Sequence, residues 1–279
     1  MSVPKITELG TQSIRSLLLK YATPGIIAMT ASSLYNMVDS IFIGHGVGAM
    51  ALSGLTIAKP FMDICAAFGT LVGVGASSLV AIKLGEKDYR SANDVLANVV
   101  ILNVLLGALV MAIGLFWLDP ILYAFGASDV TLPYAVDYAR IYILGSVFVL
   151  VVMGMNPFIT TQGFAKVSML TTIIGAVINI ILDPIFIFVF DMGVKGAALA
   201  TVLSQAVGAV WILRFLTGKK TILRIKKENM KLIPSIILPC LGLGISTFVM
   251  LSTESLLSIS FTSSLSKYGG DIAVGAMTI

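Results

Sequence analysis

The chain alternates long apolar runs with short polar connections. The runs cover residues 17–43, 52–82, 95–118, 135–159, 170–190, 197–216 and 236–259. A helix needs about 20 predominantly apolar residues to cross the hydrocarbon layer, and each run approaches or exceeds that length. The runs are continuous and rich in Leu, Ile, Val, Ala and Gly, whereas membrane-barrel strands alternate apolar and polar residues over short segments. The predicted fold class is therefore all-α transmembrane, with six spans and the start of a seventh.

Composition gives the same solvent. Of the 279 residues, 57% are hydrophobic and only 11% charged, with a mean hydropathy of +1.00, too little polar surface for a water-soluble globule. A net charge of +4 and a pI near 9.0 raise the option of nucleic acid, but the positions of the basic residues argue against it. Lys5, Arg15 and Lys20 precede the first run, and Lys83, Lys87 and Arg90 fill the second connection. Lys166 marks the fourth, and Arg214, Lys219, Lys220, Arg224, Lys226, Lys227 and Lys231 crowd the sixth. Basic residues gathered at alternate connections mark the cytoplasmic side, so the amino terminus is expected in the cytosol. The connection at 117–134 carries Asp119 and Asp129 and no basic residue, which agrees. The first run is too long for a signal-peptide core and is expected to remain in the mature protein. Cys65 and Cys240 both fall in or beside apolar runs and read as small hydrophobes, with no support for a disulfide or a metal site.

The stretch 217–231 is the one long polar and basic connection, and it divides the chain into an amino-terminal unit (1–216), a cytoplasmic joint (217–231) and the start of a second unit (232–279). The second unit begins like the first. Gly48-Ala-Met-Ala-Leu-Ser-Gly-Leu-Thr-Ile57 aligns with Gly270-Asp-Ile-Ala-Val-Gly-Ala-Met-Thr-Ile279 at a constant offset of 222 residues. Units with an even number of spans re-enter from the same face, which gives parallel halves, an arrangement common among transporters. Pro24, Pro60, Pro157, Pro184 and Pro239 fall inside or at the ends of runs, where each removes a backbone hydrogen bond. Gly69 and Gly73 form a small-xxx-small pair suited to close helix packing.

Two acids carry the functional argument. Asp39 lies inside the first run and Asp183 inside the fifth, and ionisable residues at membrane depth are expensive enough to persist mainly where they bind or carry something. Tyr35 and Asn36 precede Asp39 by four and three residues, so phenol, amide and carboxylate are expected on one helix face. Asn179 precedes Asp183 by four, and Pro184 leaves a carbonyl one turn back without its donor. Such a set suits exchange of a proton for a cation; the oxygens of Asp183, Asn179 and Thr201 also suit sodium, a hard cation. Asp63 follows Lys59 by four residues and is expected to pair with it near an interface. Glu254, in the incomplete seventh span, is a secondary candidate beside Asn36, and His45 belongs to the first far-side turn. No phosphate-binding loop of the P-loop type occurs, which excludes ATP hydrolysis by that route. An intramembrane aspartyl protease would share a proton between two acids, but Ile-Ile-Leu precedes Asp183 and no Gly-x-Gly-Asp stretch is present. The chain is not expected to be an enzyme, and no cofactor is expected beyond a coupling ion.

At these residues the sequence resembles the multidrug and toxic compound extrusion (MATE) family, nearest its bacterial DinF- and MepA-like branch. The carrying stretches are Pro24-Gly25, Asp39-Ser-Ile-Phe-Ile-Gly44, Asn179-Ile-Ile-Leu-Asp183-Pro184 and Gly193-Val-Lys-Gly-Ala-Ala-Leu-Ala-Thr201. The resemblance implies the six-helix amino-terminal lobe of a twelve-helix transporter plus its seventh helix, set in the cell inner membrane, with the rest of the carboxy-terminal lobe missing here. It implies export of small organic cations and drugs in antiport with protons or sodium. By the same resemblance, Tyr35, Asp39, Asn156, Asn179, Asp183 and Thr201 form the cation- or proton-binding cluster, with Pro24 as hinge of the first helix. The lipid bilayer is a partner and nucleic acid is not. A flippase for lipid-linked precursors or oligosaccharides, which should show a more basic cavity, and a non-transporting membrane half-protein are the alternatives.

Overall fold

A computed structural model describes residues 12–219 and 221–277. Lys5, Lys220 and the last two residues of the second glycine-led copy lie outside the described residues. Every apolar run is helical: α1 (Ile14–Gly46), α2 (Ala49–Gly85), α3 (Tyr89–Ala124), α4 (Leu132–Leu144), α5 (Ser146–Thr161), α6 (Ala165–Pro184), α7 (Gly193–Thr217) and α8 (Pro234–Ala276). Six helices, α6 being prolonged by the turn that follows it, are long and apolar enough to span a membrane. The pair α4–α5, bent by 58°, makes a seventh span when taken together. Successive spans alternate in direction, so the starts of α1, α3, α6 and α8 share one end of the bundle, the near end.

Most of the breaks are not at the in-run prolines. Pro24, Pro60, Pro157 and Pro239 sit inside continuous helices. The bend in the fourth run falls at Gly145, pressed against Val202 of α7, where a Cβ would lie 2.5 Å from a valine methyl. In α3 the backbone leaves helical geometry at Trp117 (φ −120°, ψ 22°), three residues before Pro120, whose ring crowds the carbonyl one turn back. After Pro184 the helix widens into a π-helical turn, Ile185–Val189, closed by Phe190 N–H donating to the Ile185 carbonyl.

Small residues set the packing. Gly73 lies against the backbone of Gly154 in α5, where an added Cβ would meet the Gly154 Cα at 2.7 Å, and Gly69 lies against Leu150 and Met153. The Gly69/Gly73 pair is therefore an intramolecular helix crossing. A second face of α2 takes α8, with Gly75 on the carbonyl of Cys240 and Gly244 on the carbonyl of Leu71. Both cysteines are buried and free.

The two glycine-led copies share a backbone corner. Gly48 (φ +112°, ψ 179°) precedes α2, and Gly270 (φ +72°, ψ −179°) interrupts α8 at the aligned position. Both angles lie where glycine is favoured. The copies also touch. The Ser53 hydroxyl donates to the Asp271 carbonyl at 2.6 Å, and a Cβ on Gly275, the residue aligned with Ser53, would lie 2.7 Å from the Ser53 oxygen.

The basic connection after α7 is docked on the bundle. Gln162 Oε1 accepts from the Thr221 hydroxyl (2.6 Å), Ile222 N–H (3.0 Å) and Leu223 N–H (2.8 Å), and Leu223 is fully buried. Asn93 Oδ1 accepts from Arg224 N–H at 2.8 Å and Asn98 Oδ1 from Ile233 N–H at 2.7 Å. Removing the Gln162 carbonyl strands several buried donors, each costing about 1–3 kcal/mol. Gln162→Ala should speed tryptic cleavage between Lys219 and Lys231 by roughly tenfold, read on a gel time course. Equal cleavage rates in variant and parent would contradict the docking.

Candidate functional site

The far half of the bundle holds a polar cluster buried between helices. Asp183, fully buried, sits in the last turn of α6 and accepts from the Asn179 amide at 3.4 Å. The same amide nitrogen reaches the Thr201 hydroxyl of α7 at 3.3 Å, and Thr201 meets the Tyr138 phenol of α4 at 3.4 Å. Asp39 of α1, 7% exposed, lies within electrostatic reach of Asp183 and Tyr138. Tyr35 is in reach of both acids. Four helices thus converge on one polar spot, and the order is local: Asn179 and Asp183 stack by the i, i+4 relation, and the widened turn after Pro184 keeps α6 running past them.

Within the cluster, the unpaired atoms are all acceptors. Asp39 Oδ1, Asp183 Oδ2 and Asn179 Oδ1 are buried without a hydrogen-bond donor among the described residues. Two carboxylates and an amide carbonyl buried close together repel one another and attract a positive guest. A proton or a hard cation such as sodium fits this donor set. No group of three or more His, Cys, Asp or Glu suited to a metal ion occurs among the described residues. On the near side of the cluster a small cavity of about 60 Å³ opens between α1, α5, α6 and α7, lined by Ser32, Tyr35, Thr171, Thr172, Ser204 and Gln205 among others.

The structure brings together Tyr35, Asp39, Asn179, Asp183 and Thr201 of the expected set. It sets two others apart. Asn36 is exposed and donates back to the Ser32 carbonyl at 3.0 Å, because its place on α1 is turned past Asp39 toward the outer surface. Asn156 lies one turn from the near end of α5 and donates to the Ser168 carbonyl at 3.5 Å, so the depth of α5 separates it from the acids. Pro24 is buried in an unbroken α1. Glu254 is exposed on α8 and in electrostatic reach of Asp63. The expected Lys59–Asp63 pair is not closed: the ion pairs among the described residues are Lys83–Glu86 and Lys195–Asp137, and Lys59 acts on Asp63 from farther off. His45 is exposed in the last turn of α1. Tyr138 is absent from the expected set. The sequence offers only a tyrosine in an apolar run, four residues before Tyr142, on whose ring it stacks at 6.4 Å in the fold.

A multi-span helical bundle with paired acids buried between helices is the architecture of a membrane carrier rather than of a soluble enzyme. The MatE family profile matches residues 24–185, more than half of the chain, and the chain belongs to that family. It is 28% identical over 257 residues to the multidrug export protein MepA of Staphylococcus haemolyticus, a match covering 92% of this chain and 57% of that protein. Among solved structures it is similar to the MATE multidrug transporter DinF-BH, with 38% identity and a TM-score of 0.90 over 96% of this chain and 60% of that one. A MOP superfamily transporter from Pyrococcus furiosus matches over 100% of this chain and 61% of its own, with 26% identity and a TM-score of 0.88. The chain spans a little over half the length of the curated relatives it matches. Family members of this kind are transporters, not enzymes.

Proposed function

We propose that the chain contributes the ion-exchanging lobe of a multidrug exporter, in which efflux of organic cations is driven by inward flow of protons or sodium. The observation that carries this reading is the trio of donor-less oxygens on Asp39, Asn179 and Asp183. When the cluster holds its small cation, the repulsion between the acids is relieved; when it is empty, the negative field favours a different arrangement of α1 against α6 and α7. Exchange of one positive guest for another then biases two arrangements of the lobe, the requirement for alternating access. Pro24 gives α1 a place to flex on the near side of the acids.

In this reading residues 1–216 form one lobe, 217–231 the joint and 232–279 the opening of a second lobe. The amino terminus lies in the cytosol and the bilayer is the cell inner membrane. The near end then carries the basic connections, consistent with the positive-inside pattern. Proteoliposomes bearing the complete gene product, loaded with a fluorescent organic cation, test the proposal. Efflux should accelerate under an imposed proton or sodium gradient, and the ion that works names the coupling. No response to either gradient would reject antiport.

A further inference from the structure

A second polar concavity, about 370 Å³ and distinct from the acid cluster, opens at the near end between the start of α3 and the segment leading into α8. Its lining carries three cations, Arg90, Lys226 and Lys231, two carboxylates, Asp94 and Glu228, and the amides of Asn93 and Asn229, with Ile233 at its edge. None of the three cations has a carboxylate within salt-bridge distance among the described residues. The walls are built. Asn93 accepts from Arg224 N–H while donating to the Tyr89 carbonyl at 2.7 Å, and Asn98 holds Ile233 N–H. These bonds fix the basic segment across the first turns of α3.

The concavity lies beside the starts of α3 and α8, two helices long and apolar enough to span a membrane, which would set it at the level of lipid headgroups. Near its Ile233 edge, Leu232 and Leu238 are exposed (46% and 75%), apolar surface of the kind an acyl chain needs. We propose that this pocket binds the phosphodiester headgroup of an anionic phospholipid, with Arg90, Lys226 and Lys231 on the phosphate and Asp94, Asn93 or Asn229 accepting from or donating to the headgroup's hydroxyls. Basic pockets beside membrane helices recognise such headgroups, each cation contributing about fivefold in affinity. A bound lipid would clamp the basic segment to α3 and so stiffen the connection between α7 and α8. Only the leaflet, cytoplasmic, rests on the orientation proposed above.

Native mass spectrometry of the full chain in detergent micelles, titrated with phosphatidylglycerol, tests the site. Micelles have no sidedness, so the result is independent of membrane orientation and of antiport. The triple variant Arg90→Gln/Lys226→Gln/Lys231→Gln should lose affinity by roughly a hundredfold, and Lys166→Gln, a near-end cation outside the pocket, should change nothing. Should the triple variant not fold, Lys231→Gln alone should weaken binding by about fivefold and Glu228→Gln, which removes a negative charge, should strengthen it by about as much. Equal binding by the triple variant and the parent, or Glu228→Gln shifting affinity downward, overturns the proposal. So does glycerol 3-phosphate displacing the lipid at equal concentration, which would make the pocket a soluble-phosphate site.

Discussion

Asp183→Asn should leave the fold standing and stop gradient-driven efflux. The substitution keeps shape and hydrogen-bonding capacity beside Asn179 while removing the charge that a guest cation would neutralise. Losing one member of a buried charge pair costs about 3 kcal/mol, or roughly a hundredfold in cation affinity, enough to abolish transport at ordinary ion concentrations. Asp39→Asn should behave alike, because the two acids share one electrostatic site. Thermal unfolding in detergent separates this from a structural role. Exchanging a buried acid for its neutral isostere relieves repulsion, so both variants should melt at or above the parent temperature. Full efflux by either variant would remove that residue from the site.

The second large effect is on stability. Gly73→Leu should destabilise the bundle by about 3 kcal/mol or prevent its assembly, since a side chain there must enter the backbone of Gly154. Relief is blocked behind that backbone as well, because Gly154 itself is pressed against the amide of fully buried Asn103. Gly242→Ala in α8 is the matched control: no atom lies within 4 Å of the place its methyl group would take, and the substitution should stabilise by about 0.5–1 kcal/mol. Denaturant unfolding in micelles reads both. Comparable midpoints for the two variants would show that the α2–α5 crossing tolerates expansion.

Which parts of this architecture can be read from sequence follows from how local their causes are. Seven apolar runs map onto seven spans because hydrophobic length is a property of each segment alone. Asp39 and Asp183 are legible because an acid in an apolar run is costly wherever it points, and Asn179 because it stands four residues before Asp183 on the same helix face. The direction in which a side chain points is a different matter. Asn36 stands closer to Asp39 in sequence than Tyr35 does, yet the packing of α1 on α6 turns it outward, and no spacing rule contains that partner. Asn156 enters the expected cluster by resemblance alone, and depth along α5 separates it from the acids. Prolines draw attention as bends, but neighbouring helices hold most of those segments straight, while Gly145 bends where Val202 requires room. The docking of 217–231 is hidden too, because its anchor, Gln162, lies some sixty residues away along the chain.

The meeting of Ser53 with Gly275 means that the two copies cannot be identical where they touch. Where aligned positions of two copies face each other, a residue confronts its own counterpart, and a Cβ added to Gly275 would lie only 2.7 Å from the Ser53 hydroxyl oxygen, so the seam takes a side chain from one copy and not from both. A chain with serine at both positions could not close this seam as tightly. The two copies are therefore inequivalent at the point where they touch, whatever either of them carries.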